Sequence, residues 1–62
     1  MIEIIRELRQ IMREKKISPE TAALFVGVHG REIRRWLAEE FIPNVESRKK
    51  IRRGIRRIKK NL

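Results

Sequence analysis

The sequence predicts an all-α domain of four helices, or five if the basic C-terminal segment divides. Apolar residues recur at spacings of three and four along most of the chain, and no segment alternates with the period of two that a half-buried strand needs. Helix-start signals stand at Ser18-Pro19 and Asn44, and Gly27 and Pro43 interrupt the pattern between helices. Sixty-two residues fit one domain, and a chain this short buries only about 60% of its unfolded surface.

The first helix covers residues 2–16. Ile4, Ile5, Leu8, Ile11 and Met12 fall on one face, with Glu3, Arg6, Glu7, Arg9, Arg13 and Glu14 around them. Ser18 then serves as N-cap, Pro19 suits the first helical position, and Glu20 lies where the helix dipole favours an anion. A short second helix therefore runs from about Pro19 to Val26. Gly27 ends it, because glycine accepts the positive φ of a sharp turn. A third helix begins at His29 or Gly30 and runs to about Glu40, before Pro43. Asn44 caps the fourth. There Val45, Ile51, Ile55, Ile58 and Leu62 form a narrow apolar stripe. Gly54 costs this helix about 1 kcal/mol relative to Ala, so it marks either a close helix contact or an early end.

Composition excludes several functions. Without cysteine there is no disulfide and no thiolate site, which fits a reducing compartment. One histidine, two serines and no aspartate provide no evident nucleophile–base pair and no metal-ligand cluster. Neither an enzyme nor a metal or organic cofactor is expected. No apolar run approaches the roughly 20 residues a membrane span needs. The opening "MIEIIRELRQ" alternates apolar and charged residues, unlike a signal peptide. The expected location is the cytoplasm, on the nucleoid when bound to DNA.

Charge is distributed unevenly. Seventeen Lys and Arg oppose eight Glu, for a net +9. Residues 1–47 hold eight basic and eight acidic side chains, whereas residues 48–62 hold nine basic and none acidic. A block of one sign implies a polyanionic partner, nucleic acid or an anionic membrane. The isoleucines recurring within it argue against a merely solvated tail.

The third helix sorts its residues at roughly 100° each. Arg31, Arg34, Arg35 and Ala38 share an arc of about 100°, while Ile33, Trp36 and Leu37 lie opposite and Glu32 and Glu39 flank. The apolar arc suits a core. The arginine arc is either a solvated surface or a set of guanidinium forks for phosphate and for guanine O6 and N7. Glu32 stands three residues before Arg35 and can divert it by pairing.

The segment "TAALFVGVHGREIRRWLAEEFIP" decides between them, because it resembles the helix-turn-helix family of the Cro and lambda-repressor type. That family shows alanine at the fifth position of about twenty, glycine at the ninth, and apolar residues at the fourth, eighth, tenth, fifteenth and eighteenth. Counted from Pro19, Ala22, Ala23, Val26, Gly27, Val28, Ile33 and Trp36 fill these slots. A tryptophan, a loop, a proline and a further helix follow, as in the family. The resemblance covers residues 4–58 and implies a central helix-turn-helix at about 19–40. Its recognition helix, about 30–40, would enter the major groove of double-stranded DNA. Two slots depart from the pattern. His29 stands where Ser or Thr is common, and Gly30 stands where a polar residue often reads a base. The family's fifth helix is missing or merged into the basic segment.

The resemblance implies base contacts for Arg31 and Arg35; Arg34 fills a slot that reaches bases or phosphates, and of the two it is assigned to phosphate. Ser18, His29 and Gly30 are further phosphate neighbours. The basic residues of the fourth helix would add sequence-independent affinity: Arg48, Lys49, Arg52, Arg53 and Arg56 as phosphate contacts, with Lys50, Arg57, Lys59 and Lys60 adding charge. The expected function is sequence-specific DNA binding as a small transcriptional regulator, with a homodimer forming on DNA and no membrane or small-molecule partner. A DNA-addressing module of a transposition, recombination, partition or toxin–antitoxin system fits the same residues. Another class of function is a basic amphipathic C-terminal helix that binds an anionic membrane or an acidic protein. Its stripe is thin and lacks Trp or Phe. Phe25, Phe41 and Ile42 belong to the core or to an adhesive edge.

Overall fold

A computed structural model describes residues 2–62 and consists of four α-helices: α1 (Glu3–Lys15), α2 (Pro19–Val26), α3 (Gly30–Leu37) and α4 (Val45–Asn61). There is no strand among the described residues. α2 packs against both α3 and α4, and α1 closes the core from the side of α4.

The core is a single cluster. Ile4, Ile5, Leu8, Ile11 and Met12 of α1 meet Ala22, Ala23 and Val26 of α2, Ile33 and Trp36 of α3, and Ile51, Ile55 and Ile58 of α4. Phe25, Val28 and Leu37 are half-buried against it. No polar or charged residue is buried among the described residues, and no buried side-chain nitrogen or oxygen among them lacks a hydrogen-bonding partner.

The starts of α2 and α4 follow the capping residues. The Thr21 N–H donates to Ser18 Oγ at 3.2 Å, and the Ser47 N–H donates to Asn44 Oδ1 at 2.8 Å. The ends of α1, α2 and α3 share one device. Lys16, Gly27 and Glu39 have φ of 55°, 86° and 62°, and the next N–H reaches back five residues: Ile17 to Met12, Val28 to Ala23, Glu40 to Arg35. This left-handed closure satisfies carbonyls that the last turn would leave unpaired. Only one of the three positions is a glycine.

Two expectations need correction, and one open reading is decided. α3 ends at Leu37, not near Glu40, because the left-handed turn at Glu39 stops it well before Pro43. Val45 and Leu62 do not extend the buried stripe of α4; they are 63% and 54% exposed. Val45 lies six residues before Ile51, about 120° off the stripe at 100° per residue, and Leu62 lies past the helix end. α4 does not divide at Gly54. The helix continues, and Gly54 is buried against α2, the close contact that was one of its two readings.

Charge on α1 is segregated. At 100° per residue, Glu3, Glu7 and Glu14 share one flank, and Arg6, Arg9 and Arg13 the other. Glu7 and Glu14 border a groove with Ile55 and Lys59 of α4, so the acidic flank faces the basic helix. On the other flank, Arg9 Nη2 donates to the Leu37 carbonyl, placing a cation at the negative end of α3.

Candidate nucleic-acid interface

α3 presents the two faces its sequence requires. Ile33 is fully buried and Trp36 is 5% exposed, whereas Arg31, Arg34 and Arg35 are exposed. The turn holds α3 against α2 by small residues: Ala22 and Ala23 are buried at the crossing, and Gly27 supplies the positive φ between the helices. Glu20, His29, Gly30, Arg31, Glu32, Arg34 and Arg35 line one open groove over the start of α3.

The three arginines have different surroundings. Arg31 has no ion pair or side-chain hydrogen bond among the described residues. Arg35 lies over the Phe41 ring, its Cζ 5.4 Å from the centroid, within cation–π range. Arg34 Nη1 is paired with Glu20 Oε2 of α2, both side chains remaining more than half exposed. The expected diversion of Arg35 by Glu32 is therefore replaced by a diversion of Arg34. Gly30 leaves room for the pair: a β-carbon there would lie 3.2 Å from Glu20 Cγ and Oε2, and the Glu20 side chain would have to give by a few tenths of an ångström.

The helix N-termini differ as anion sites. At α2, Ser18 Oγ accepts from the Thr21 N–H and donates to Thr21 Oγ1 at 3.2 Å, Pro19 has no N–H, and the Glu20 carboxylate stands alongside. Ser18 thus caps α2 with its side chain. At α3 the His29 ring makes no capping bond. The Glu32 N–H already donates to the His29 carbonyl at 3.0 Å, which leaves the Gly30 and Arg31 N–H groups of the first turn for an anion.

On α4 the basic residues project outward. Arg52, Arg53 and Arg56 are exposed, and Arg53 and Arg56 share a groove with Arg57 and Lys60. Arg48 is partly committed, its Nε donating to the Pro43 carbonyl at 3.1 Å, and Lys49 lies 3.9 Å from Glu46. Arg57 is partly committed as well, donating from Nη1 to the Phe25 carbonyl at 3.2 Å. α4 is thus anchored at the C-terminal end of α2, while Glu20 and Arg34 meet at its N-terminal end.

Phe41 and Ile42 are 57% and 71% exposed and so are not core. With Ile2, Ile5 and Trp36 they border an apolar groove, with Glu39 at its rim. No group of residues fit to hold a metal ion occurs among the described residues, and none of their helices is long and apolar enough to cross a membrane.

No family model, curated protein or solved structure matches the chain.

Proposed function

We propose that the chain is a helix-turn-helix protein that binds double-stranded DNA in a sequence-dependent way, as a small transcriptional regulator. One observation carries the reading. α3 is a short helix whose buried face, Ile33 and Trp36, locks it to the domain, while Arg31, Arg34 and Arg35 project from its exposed side. A major groove of about 12 Å admits such a helix, and guanidinium groups match its acceptors.

α4 supports the reading by supplying charge without sequence information. Arg52, Arg53 and Arg56 are exposed on a helix that packs against α2, the helix that also holds α3. Phosphates bordering the groove are the natural partners of such residues. Membrane binding by α4 is less well supported. Ile51, Ile55 and Ile58 are consumed by the core, so a lipid surface would find charge but little apolar area. Use of the same surface to address a larger DNA-processing assembly is compatible with every residue named.

Two copies on one site would place two α3 helices about one helical turn apart, roughly 10 base pairs centre to centre. The test is selection of bound duplexes from a random pool, with anionic liposomes and single-stranded DNA as competitors. Enrichment of a duplex motif, and its protection from cleavage, is the expected result. Equal competition by liposomes would overturn the proposal.

A further inference from the structure

Resting on the DNA-binding reading above, we propose that Arg34 reads a guanine and that Glu20 is its positioning residue. The argument starts from charge. A phosphate-binding arginine gains from being the only charge near the anion. Arg34 is not: the Glu20 carboxylate is paired with its Nη1, so the two side chains together carry no net charge. A phosphate approaching this pair meets a carboxylate as well as a guanidinium. A guanine edge is neutral and presents only the acceptors O6 and N7, so Glu20 does not repel it.

Geometry agrees. The guanidinium has five N–H donors in a planar fork. Nη1 is used by Glu20, while Nη2 and Nε have no partner among the described residues. An arginine held through one nitrogen keeps a donor pair for a bidentate contact, and its plane is already restrained. Because both side chains are more than half exposed, the ion pair contributes little to folding stability. What it does supply is orientation of a long, flexible side chain at the mouth of the groove lined by Gly30 and Arg31. Gly30 belongs to the same device. It reads no base, yet any side chain there would press on Glu20, since even a β-carbon would lie 3.2 Å from its Cγ and Oε2.

The experiment repeats the duplex selection with wild type, Arg34→Ala, Glu20→Gln, Glu20→Ala and Gly30→Ala. It adds affinities for the selected and for random duplex, and a thermal midpoint for each variant. Arg34→Ala should erase one guanine per half-site and lower the specific-to-random ratio roughly 5- to 150-fold, the worth of one bidentate contact. Both Glu20 variants should lower that ratio at least about fivefold while raising affinity for random DNA, because Arg34 is released toward phosphates and a carboxylate is gone. Gly30→Ala should shift the ratio the same way and less. All should stay folded. An unchanged motif and ratio in the Glu20 variants, with or without a lower thermal midpoint, would make the pair a mere brace and overturn the inference. A wild-type protein that binds duplex without selecting any motif overturns it too, leaving DNA binding intact. No duplex binding by wild type overturns the functional reading itself.

Discussion

Gly54 of α4 lies directly on Val26 of α2: a β-carbon at 54 would stand 2.5 Å from Val26 Cγ2 and 2.9 Å from its Cα. The neighbour is backbone as well as side chain, so it cannot swing away. On a free helix surface, Gly→Ala gains about 1 kcal/mol. Here Gly54→Ala should instead destabilise by about 1–3 kcal/mol, because the helices must separate. Urea unfolding at constant m-value measures it. A stabilised Gly54→Ala protein would show that α4 does not cross α2 at this point.

The three left-handed helix ends predict opposite signs for similar substitutions. Lys16 and Glu39 adopt φ of 55° and 62° against the preference of L-residues. Lys16→Gly and Glu39→Gly should each stabilise by about 0.5–1 kcal/mol, the relief of strain less the added freedom of the unfolded chain. Gly27→Ala should cost about 1–2 kcal/mol, although nothing lies within 4 Å of its added carbon. Paired thermal melts suffice to check the signs.

Trp36 of α3 is 5% exposed, part of the core. Its emission maximum should be blue-shifted in the native protein and move to the red on unfolding. Trp36→Ala should cost about 3–5 kcal/mol, most of the stability available to a chain of this size. Far-ultraviolet circular dichroism at room temperature should then report a largely unfolded population. A native emission maximum typical of fully exposed indole would contradict the packing of α3.

If α3 reads and α4 holds, salt separates them. Arg31→Ala and Arg35→Ala should lose about 1–3 kcal/mol on the selected duplex and little on random DNA. Arg52→Ala and Arg56→Ala should weaken both alike. Each lost phosphate contact should reduce the slope of log K against log salt by about 1. Arg35 has an added requirement: it must leave Phe41, over which it lies. Phe41→Ala should therefore free Arg35 and change affinity without removing a charge. If the α3 variants lose equally on both duplexes, that helix is only an electrostatic surface.

The sequence by itself determined the four helices, their starts, and nearly all the core. Capping residues, proline and helical spacing act within one or two turns, so Ser18, Pro19, Gly27 and Asn44 delimit helices without knowledge of the fold. The opposed faces of α3 were legible for the same reason: 100° per residue separates Arg31 and Arg34 from Ile33 and Trp36 whatever surrounds them. Tertiary structure alone decided where α3 stops, because a left-handed glutamate at 39 has no compositional signature. It also decided which reading of Gly54 holds, since only the crossing of α4 over α2 puts Val26 there. Above all it decided the partners of the arginines. Long exposed side chains pair with whatever lies within reach, and reach is set by helix axes, not by sequence spacing. Glu32 is three residues from Arg35, yet Glu20, fourteen residues from Arg34, forms the pair, because α2 brings it across the groove and Gly30 leaves it room.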